Sequence, residues 1–260
     1  MEFLLLLTGC VIFPTLHCAS VYGMSKLLPG KSKGAHYAIG TRLVSLLQAV
    51  CASSVGLSVV LSCKDIMKER FIRVDYYAWF GFPYFYYDIG AMFLVHYHDC
   101  PKQSLRSIVE TFITKKWLVV FHHLFLPVIG FPIVVFYRRG VGDFFVGCIY
   151  IAEISTPFLS LHYIFKKLDM DNNIIFKLNG FCLAISFLIG RILVFPFMYY
   201  KYGQYVGIKI WQVPFKIPLL CNVSCLGLMT LQLIWFTMIV SRAFIILKQH
   251  ILVVFTKRKV

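Results

Sequence analysis

The run WLVVFHHLFLPVIGFPIVVFY, Trp117–Tyr137, is 21 residues long and apolar except for the adjacent pair His122 and His123. About 20 consecutive apolar residues match the roughly 30 Å hydrocarbon core of a bilayer, so this stretch reads as a membrane-crossing helix. Two titratable rings at bilayer depth are costly, and such groups mark function or a specific packing partner. Working outward from this stretch, the rest of the chain fits the same pattern. Of its 260 residues, 59% are hydrophobic and 14% are charged. Soluble domains carry about a quarter charged residues, which makes this a membrane composition.

Seven apolar spans are predicted, at about 3–25, 39–62, 78–97, 117–137, 144–165, 178–200 and 217–240. The expected fold is therefore all-α, a polytopic bundle of about seven transmembrane helices. Its expected parts are an N-terminal anchor and loop (1–38), a six-helix domain (39–250) and a basic tail (251–260). The first span could be a cleaved signal peptide, since HCASVYG offers small residues for cutting. No Lys or Arg precedes it, however, while Lys26, Lys31 and Lys33 follow, which favours an uncleaved anchor. Loops 1, 3, 5 and the tail carry 16 Lys and Arg, against 9 in loops 2, 4 and 6. By the positive-inside rule the first set faces the cytosol, so the N-terminus is lumenal and the C-terminus cytosolic.

The net charge of +15 sits in short clusters between spans, as headgroup contact and topology require, and no nucleic acid partner is expected. Nine cysteines, mostly within spans and without C-x-x-C spacing, read as small core residues. The tail TKRKV resembles a dibasic retrieval signal, with Arg258 where lysine would be expected. The sequon Asn222-Val223-Ser224 lies at the start of the seventh span, a poor place for glycosylation. No D-R-Y follows the third span and no N-P-x-x-Y lies in the seventh, so a seven-span receptor is disfavoured. Pro83, Pro127, Pro132, Pro157 and Pro196 interrupt spans, where kinks can surround a cavity.

Five ionisable residues lie inside spans: Asp88, His122, His123, Glu153 and Arg191. Glu153, Thr156 and Ser160 share a helical face, while His162 points away from it. Adjacent histidines point about 100° apart, so at most one faces a cavity squarely. An imidazole can serve as general base or transient acyl acceptor, and a carboxylate can fix its tautomer, which suits acyl transfer between lipids. Arg191 can instead neutralise Glu153 or Asp88 as a packing pair. The histidines are adjacent and no H-E-x-x-H occurs, so no metal site is expected.

The stretch from Phe121 to Leu161 resembles the core of the TLC domain. Blocks such as PYFYYDIGAMFLVHYH, GDFFVGCIYIAEISTPF and GRILVFPFMYYKYG look more closely like the TLC domain-containing protein 3 group, over about Arg42 to Arg242. The resemblance implies a helical bundle of the endoplasmic reticulum or related membranes that acts in ceramide and sphingolipid metabolism. In ceramide synthases of the wider superfamily, the paired histidine of the Lag1 motif is taken to carry N-acylation of a sphingoid base by acyl-CoA. His122 and His123 match that pair. Of the following D-x-x-D, Glu153 stands at the first position and Thr156 at the second, a departure from the synthase pattern. The resemblance thus implies catalytic roles for His122, His123 and Glu153, to which the ionisable residues inside the spans add Asp88 as catalytic, with Arg191 and Thr156 structural or substrate-orienting. It implies acyl-CoA as co-substrate, no bound cofactor, and membrane lipids as partners, with a homodimer as a further possibility. The alternative is a non-enzymatic lipid binder or regulator of membrane lipid composition.

Overall fold

A computed structural model describes residues 1–100 and 103–257, the side chains of Ala243 and of residues 245–257 excepted. Among these residues the regular structure is entirely helical. Helix α1 covers Glu2–Leu27, α2 Lys33–Ser62 and α3 Ile72–Asp99. Helix α4 (Leu105–Phe125) runs on to Tyr137 through π turns at Leu126–Gly130 and Ile133–Tyr137. Helices α5 (Asp143–Ile151) and α6 (Thr156–Lys167) flank a 3-10 turn, Ala152–Ser155. Helices α7 (Ile174–Phe187) and α8 (Val194–Val206) flank a π turn, Leu188–Leu193, and α9 is Leu219–Lys257. Arg258, expected as part of the basic retrieval-like cluster, lies outside the described residues.

Three starts, those of α2, α4 and α7, have a local cause. Ser32, Ser104 and Asn173 accept the backbone N–H of Ala35, Ser107 and Ile175, taking up donors that the first turn leaves free. The interruptions also follow from sequence. Proline has no N–H and its ring crowds the carbonyl four residues back. Pro127 and Pro132 fall at the π turns of α4, where Phe131 N–H instead reaches Leu126 O and Arg138 N–H reaches Ile133 O. Pro157 follows the 3-10 turn, in which Glu153's carbonyl is taken up by Thr156 N–H.

Among the described residues, six helices are long and apolar enough to cross a membrane: 2–27, 33–62, 105–137, 143–167, 174–206 and 219–242. The expected seventh, α3, has 28 residues but is less apolar. Tyr76, Tyr77, Tyr84, Tyr86, Tyr87 and Tyr97 lower its hydropathy, so the count of seven is not carried by apolarity alone.

Helices in lipid gain no hydrophobic drive from meeting one another, and small residues let their backbones approach. Gly9 of α1 lies against the carbonyl of Phe80 on α3. A Cβ at Gly56 of α2 would sit 2.6 Å from Gly147 O and 2.9 Å from Ile151 N, so α2 and α5 touch backbone to backbone. Phe13 of α1 packs with Val44 and Tyr84, while Phe144, Cys148, Val194, Phe195 and Met198 form a second apolar centre.

One end of the bundle is tied by charge. Asp143 is fully buried and accepts from Phe71 N (2.5 Å), Arg70 Nη1 (3.2 Å) and Arg138 Nη1. Arg70 and Arg138 also bind Asp75, at 2.6 and 2.5 Å. Four charges thereby join the starts of α3 and α5 to the end of the α4 rod.

Candidate functional site

The two histidines diverge as adjacent helical residues must. Their rings are perpendicular, with centroids 5.6 Å apart. His123 turns toward α3, where its Nε2 lies 3.3 Å from Asp88 Oδ2. Its Nδ1 donates to Val119 O at 2.9 Å. Both ring nitrogens therefore face acceptors. His123 and Asp88 thus form a close couple between α4 and α3. That couple is well buried, with Asp88 4% exposed. Asp88 Oδ1 lies 3.4 Å from Ser45 Oγ of α2, and Tyr84 OH donates to Ser45 at 3.0 Å. The couple thus spans α2, α3 and α4.

His122 turns the other way. Its ring meets Trp235 of α9 edge-on at 5.3 Å. It is 8% exposed, and its Nδ1 has no hydrogen-bond partner among the described residues. Leaving a buried polar atom unpaired costs about 1–3 kcal/mol. Of the two rings, His122 is the one with a nitrogen available for chemistry, whereas His123 is held at both.

Arg191 and Glu153 form a second cluster. Arg191 sits in the π turn at 188–193, and donates from Nε to Ser155 Oγ (2.8 Å) and from Nη1 to Gln232 Oε1 (3.3 Å). Its Nη2 reaches Glu153 Oε2 (3.2 Å) and Thr156 Oγ1 (2.8 Å). Thr156 in turn donates to Glu153 Oε2 at 2.6 Å. The 3-10 turn places Ser155, Thr156 and Glu153 together, and the π turn aims the guanidinium at all three. A buried charge is tolerated only when paired and hydrogen-bonded, and here both conditions hold.

Five of the six expected residues therefore fall into two groups, while His122 packs against Trp235. His123 joins Asp88, and Glu153 joins Arg191 and Thr156. Glu153's hydrogen bonds go to Arg191 and Thr156, so Asp88 is the carboxylate that contacts a histidine. Helix α9 links the groups, since Gln232 touches Arg191 and Trp235 touches His122 one turn further along. Gln48, Ser45, Tyr84, Gln232 and Trp235 were not singled out from sequence. The signal for the α2 pair was present, because Thr41, Ser45 and Gln48 recur at helical spacing on one face of an apolar run. Among the described residues, no group of three His, Cys, Asp or Glu is placed to hold a metal ion.

Residues 38–241 match the TLC domain. A curated relative, TLC domain-containing protein 4 A of Dictyostelium discoideum, is 26% identical over 80 residues, 31% of either chain. The match thus spans about a third of that relative's length. No solved structure matches the chain. With the family match covering most of the sequence, over an all-helical membrane bundle, the chain belongs to the TLC domain family, which is linked to lipid metabolism or sensing.

Proposed function

We propose that the protein transfers an acyl group from acyl-CoA to the amine of a sphingoid base, in the manner of a ceramide synthase. The observation that carries this reading is the buried His123–Asp88 couple beside His122, whose Nδ1 is unpartnered. In the step, the amine nitrogen attacks the thioester carbonyl and the C–S bond breaks. The amine's proton passes to His122 and then to the departing CoA sulfur, so the ring ends as it began. His123, locked by Val119 and Asp88, positions its neighbour. Acyl-CoA approaches from the end bearing loops 1, 3 and 5, proposed as cytosolic, where lysines and arginines meet its phosphates. The endoplasmic reticulum is the proposed membrane, with the N-terminus lumenal. The partners are membrane lipids.

Purified protein given acyl-CoA and sphinganine should form ceramide above a mock preparation. The double variant His122→Ala, His123→Ala should lose that product while purifying in normal yield. Undiminished ceramide from the double variant would reject the mechanism.

A second reading, a lipid binder or regulator without turnover, is favoured by Glu153. Where the synthase pattern has an aspartate pair, Glu153 and Thr156 are wired to Arg191. This reading expects co-purified lipid and no time-dependent product in the same assay.

A further inference from the structure

The end of the bundle where α1, α3 and α5 start carries a cavity of about 600 Å³, lined in part by Glu2, Phe3, Arg70, Ile72 and Asp75. That volume is within the range of small-ligand pockets. The cavity lies at the end opposite loops 1, 3 and 5, where acyl-CoA is proposed to approach.

Its polar side is fixed by the charge tie. Arg70 Nη2 donates to Asp75 Oδ2 at 2.6 Å and Nη1 to Asp143 Oδ1 at 3.2 Å, so two acids set the plane of the guanidinium. Gly140, at φ +77°, lets that plane lie against the loop, since a Cβ there would sit 2.8 Å from Nη1. These bonds use two of a guanidinium's five N–H donors, and the side chain is still 45% exposed. Arg70 is thus a steadied cation with donors in reserve. Asp75 has no such reserve, because its Oδ1 takes Arg138 Nη2 at 2.5 Å. Glu2, exposed in the first turn of α1, stands outside this exchange, in which both arginines bind Asp75 and Asp143. One cavity therefore holds a cation with spare donors and an acid with spare acceptors, and the two are not paired with each other.

A ligand for such a cavity carries both signs. The fork of a guanidinium matches the oxygens of a phosphate, and a carboxylate takes charge-assisted hydrogen bonds from an ammonium. The rest of the lining is apolar and open, with Phe3 68% and Ile72 64% exposed at the starts of two membrane helices. We propose that this cavity binds the head of an ethanolamine phospholipid, its phosphate on Arg70 and its ammonium on Glu2, with Phe3 and Ile72 against the glycerol esters and upper chains. The lipid belongs to the leaflet proposed as lumenal. A choline head fits less well, because its trimethylammonium brings no N–H to Glu2. A glycerol head leaves a net anion beside Glu2 and Asp75 with nothing to neutralise Glu2.

The test is native mass spectrometry of the full-length protein in detergent, titrated with phosphatidylethanolamine, phosphatidylcholine and phosphatidylglycerol of identical acyl chains. The ethanolamine lipid should bind at least about tenfold more tightly than either other lipid, a ratio that one charge-assisted hydrogen bond supplies. Glu2→Ala should remove most of its preference over the choline lipid, which separates this cavity from any lipid held elsewhere on the bundle. Glycerophosphoethanolamine, the same head without chains, should displace the lipid only at far higher concentration. Equal affinity for the three lipids overturns the proposal, as does tightest binding of phosphatidylglycerol or an unchanged preference in Glu2→Ala. Displacement by the chainless head at equal concentration overturns the lipid as the source of that head. Glu2 makes none of the bonds of the tie, and if Glu2→Ala nevertheless fails to fold, the three-lipid comparison on the unaltered protein decides. No turnover enters the assay, so its result stands apart from that of the ceramide assay.

Discussion

Replacing Arg191 by methionine keeps most of the side-chain bulk and removes the guanidinium, so it isolates the electrostatic role of the mid-bundle network. Four hydrogen bonds disappear, to Ser155, Gln232, Glu153 and Thr156. Ser155 is 1% and Gln232 5% exposed, so neither is compensated by solvent. Glu153 keeps the Thr156 bond but loses its counter-charge. Removing one partner of a buried pair costs about 3–5 kcal/mol. Glu153 retains a quarter of its accessibility, which places the expected cost toward the lower end, about 3 kcal/mol. For a chain of this size each kcal/mol moves the melting temperature by about 2–4 °C. Thermal unfolding in detergent, followed by tryptophan fluorescence or light scattering, should show a fall of at least about 6 °C. The double variant Arg191→Met, Glu153→Met should recover part of that loss, because the orphaned charge goes with its partner. A single variant melting with the unaltered protein, or a double variant less stable than the sum of the two singles, would refute the assignment of this pair as a stabilising internal clamp.

At the other end of the bundle, Asp143→Asn should destabilise more than Asp75→Asn. Asp143 is fully buried and accepts from three groups, whereas the Asp75 side chain is 19% exposed. Thermal melts of the two variants check the order. Gly56→Ala places a methyl against Gly147 O and should cost about 1–3 kcal/mol by forcing α2 from α5, whereas Gly90→Ala, with open space around it, should not. The folded yield of the two variants measures the contrast. In the loop after α2, Asp65 and Glu69 are held below the usual carboxylate range by backbone N–H groups, of Lys68 and Met67 for Asp65 and of Lys64 and Asp65 for Glu69. Depressed carboxyl groups stabilise the folded loop above their unfolded pKa of about 4, and that contribution is lost as the pH falls through the lower folded values. Amide exchange at Lys64–Lys68, corrected for its intrinsic pH dependence, should therefore lose protection below about pH 4 and not between pH 5 and 8.

Six of the seven expected spans were legible because bilayer length and apolarity leave little choice, and each falls on a helical rod, whereas 78–97 falls within the less apolar α3. Their limits were less so. Helix α4 starts at Leu105, well before Trp117, because Ser104 caps it and Lys115 and Lys116 do not interrupt a helix whose end leaves the apolar core. Helix α9 continues to Lys257 for a related reason, since hydropathy marks where a helix leaves lipid and not where it stops. The five ionisable residues stood out from sequence because charge inside an apolar run is unmistakable. Their partition into two clusters did not, since it depends on helix neighbours and on the π and 3-10 turns that rotate Arg191 and Glu153 toward each other. Gln48 and Gln232 escaped notice because a neutral amide in an apolar run is a weak signal, although Gln232 supplies a decisive contact.

Helix α1 lies outside the segment that matches the family, 38–241, yet it fills a share of the interior. Phe13 is 2% exposed among Val44, Tyr84 and Phe80, and His17 is buried edge-on to Tyr37 and Tyr87. The side of the bundle adjoining Ser45 and Asp88 is thus sealed by a removable stave and not by the shared domain itself. A chain that kept residues 38–241 and altered only α1 would change the width of that side without touching a histidine or an acid. Truncation at the family boundary would strip the stave away and leave Tyr84 and its neighbours facing lipid or detergent.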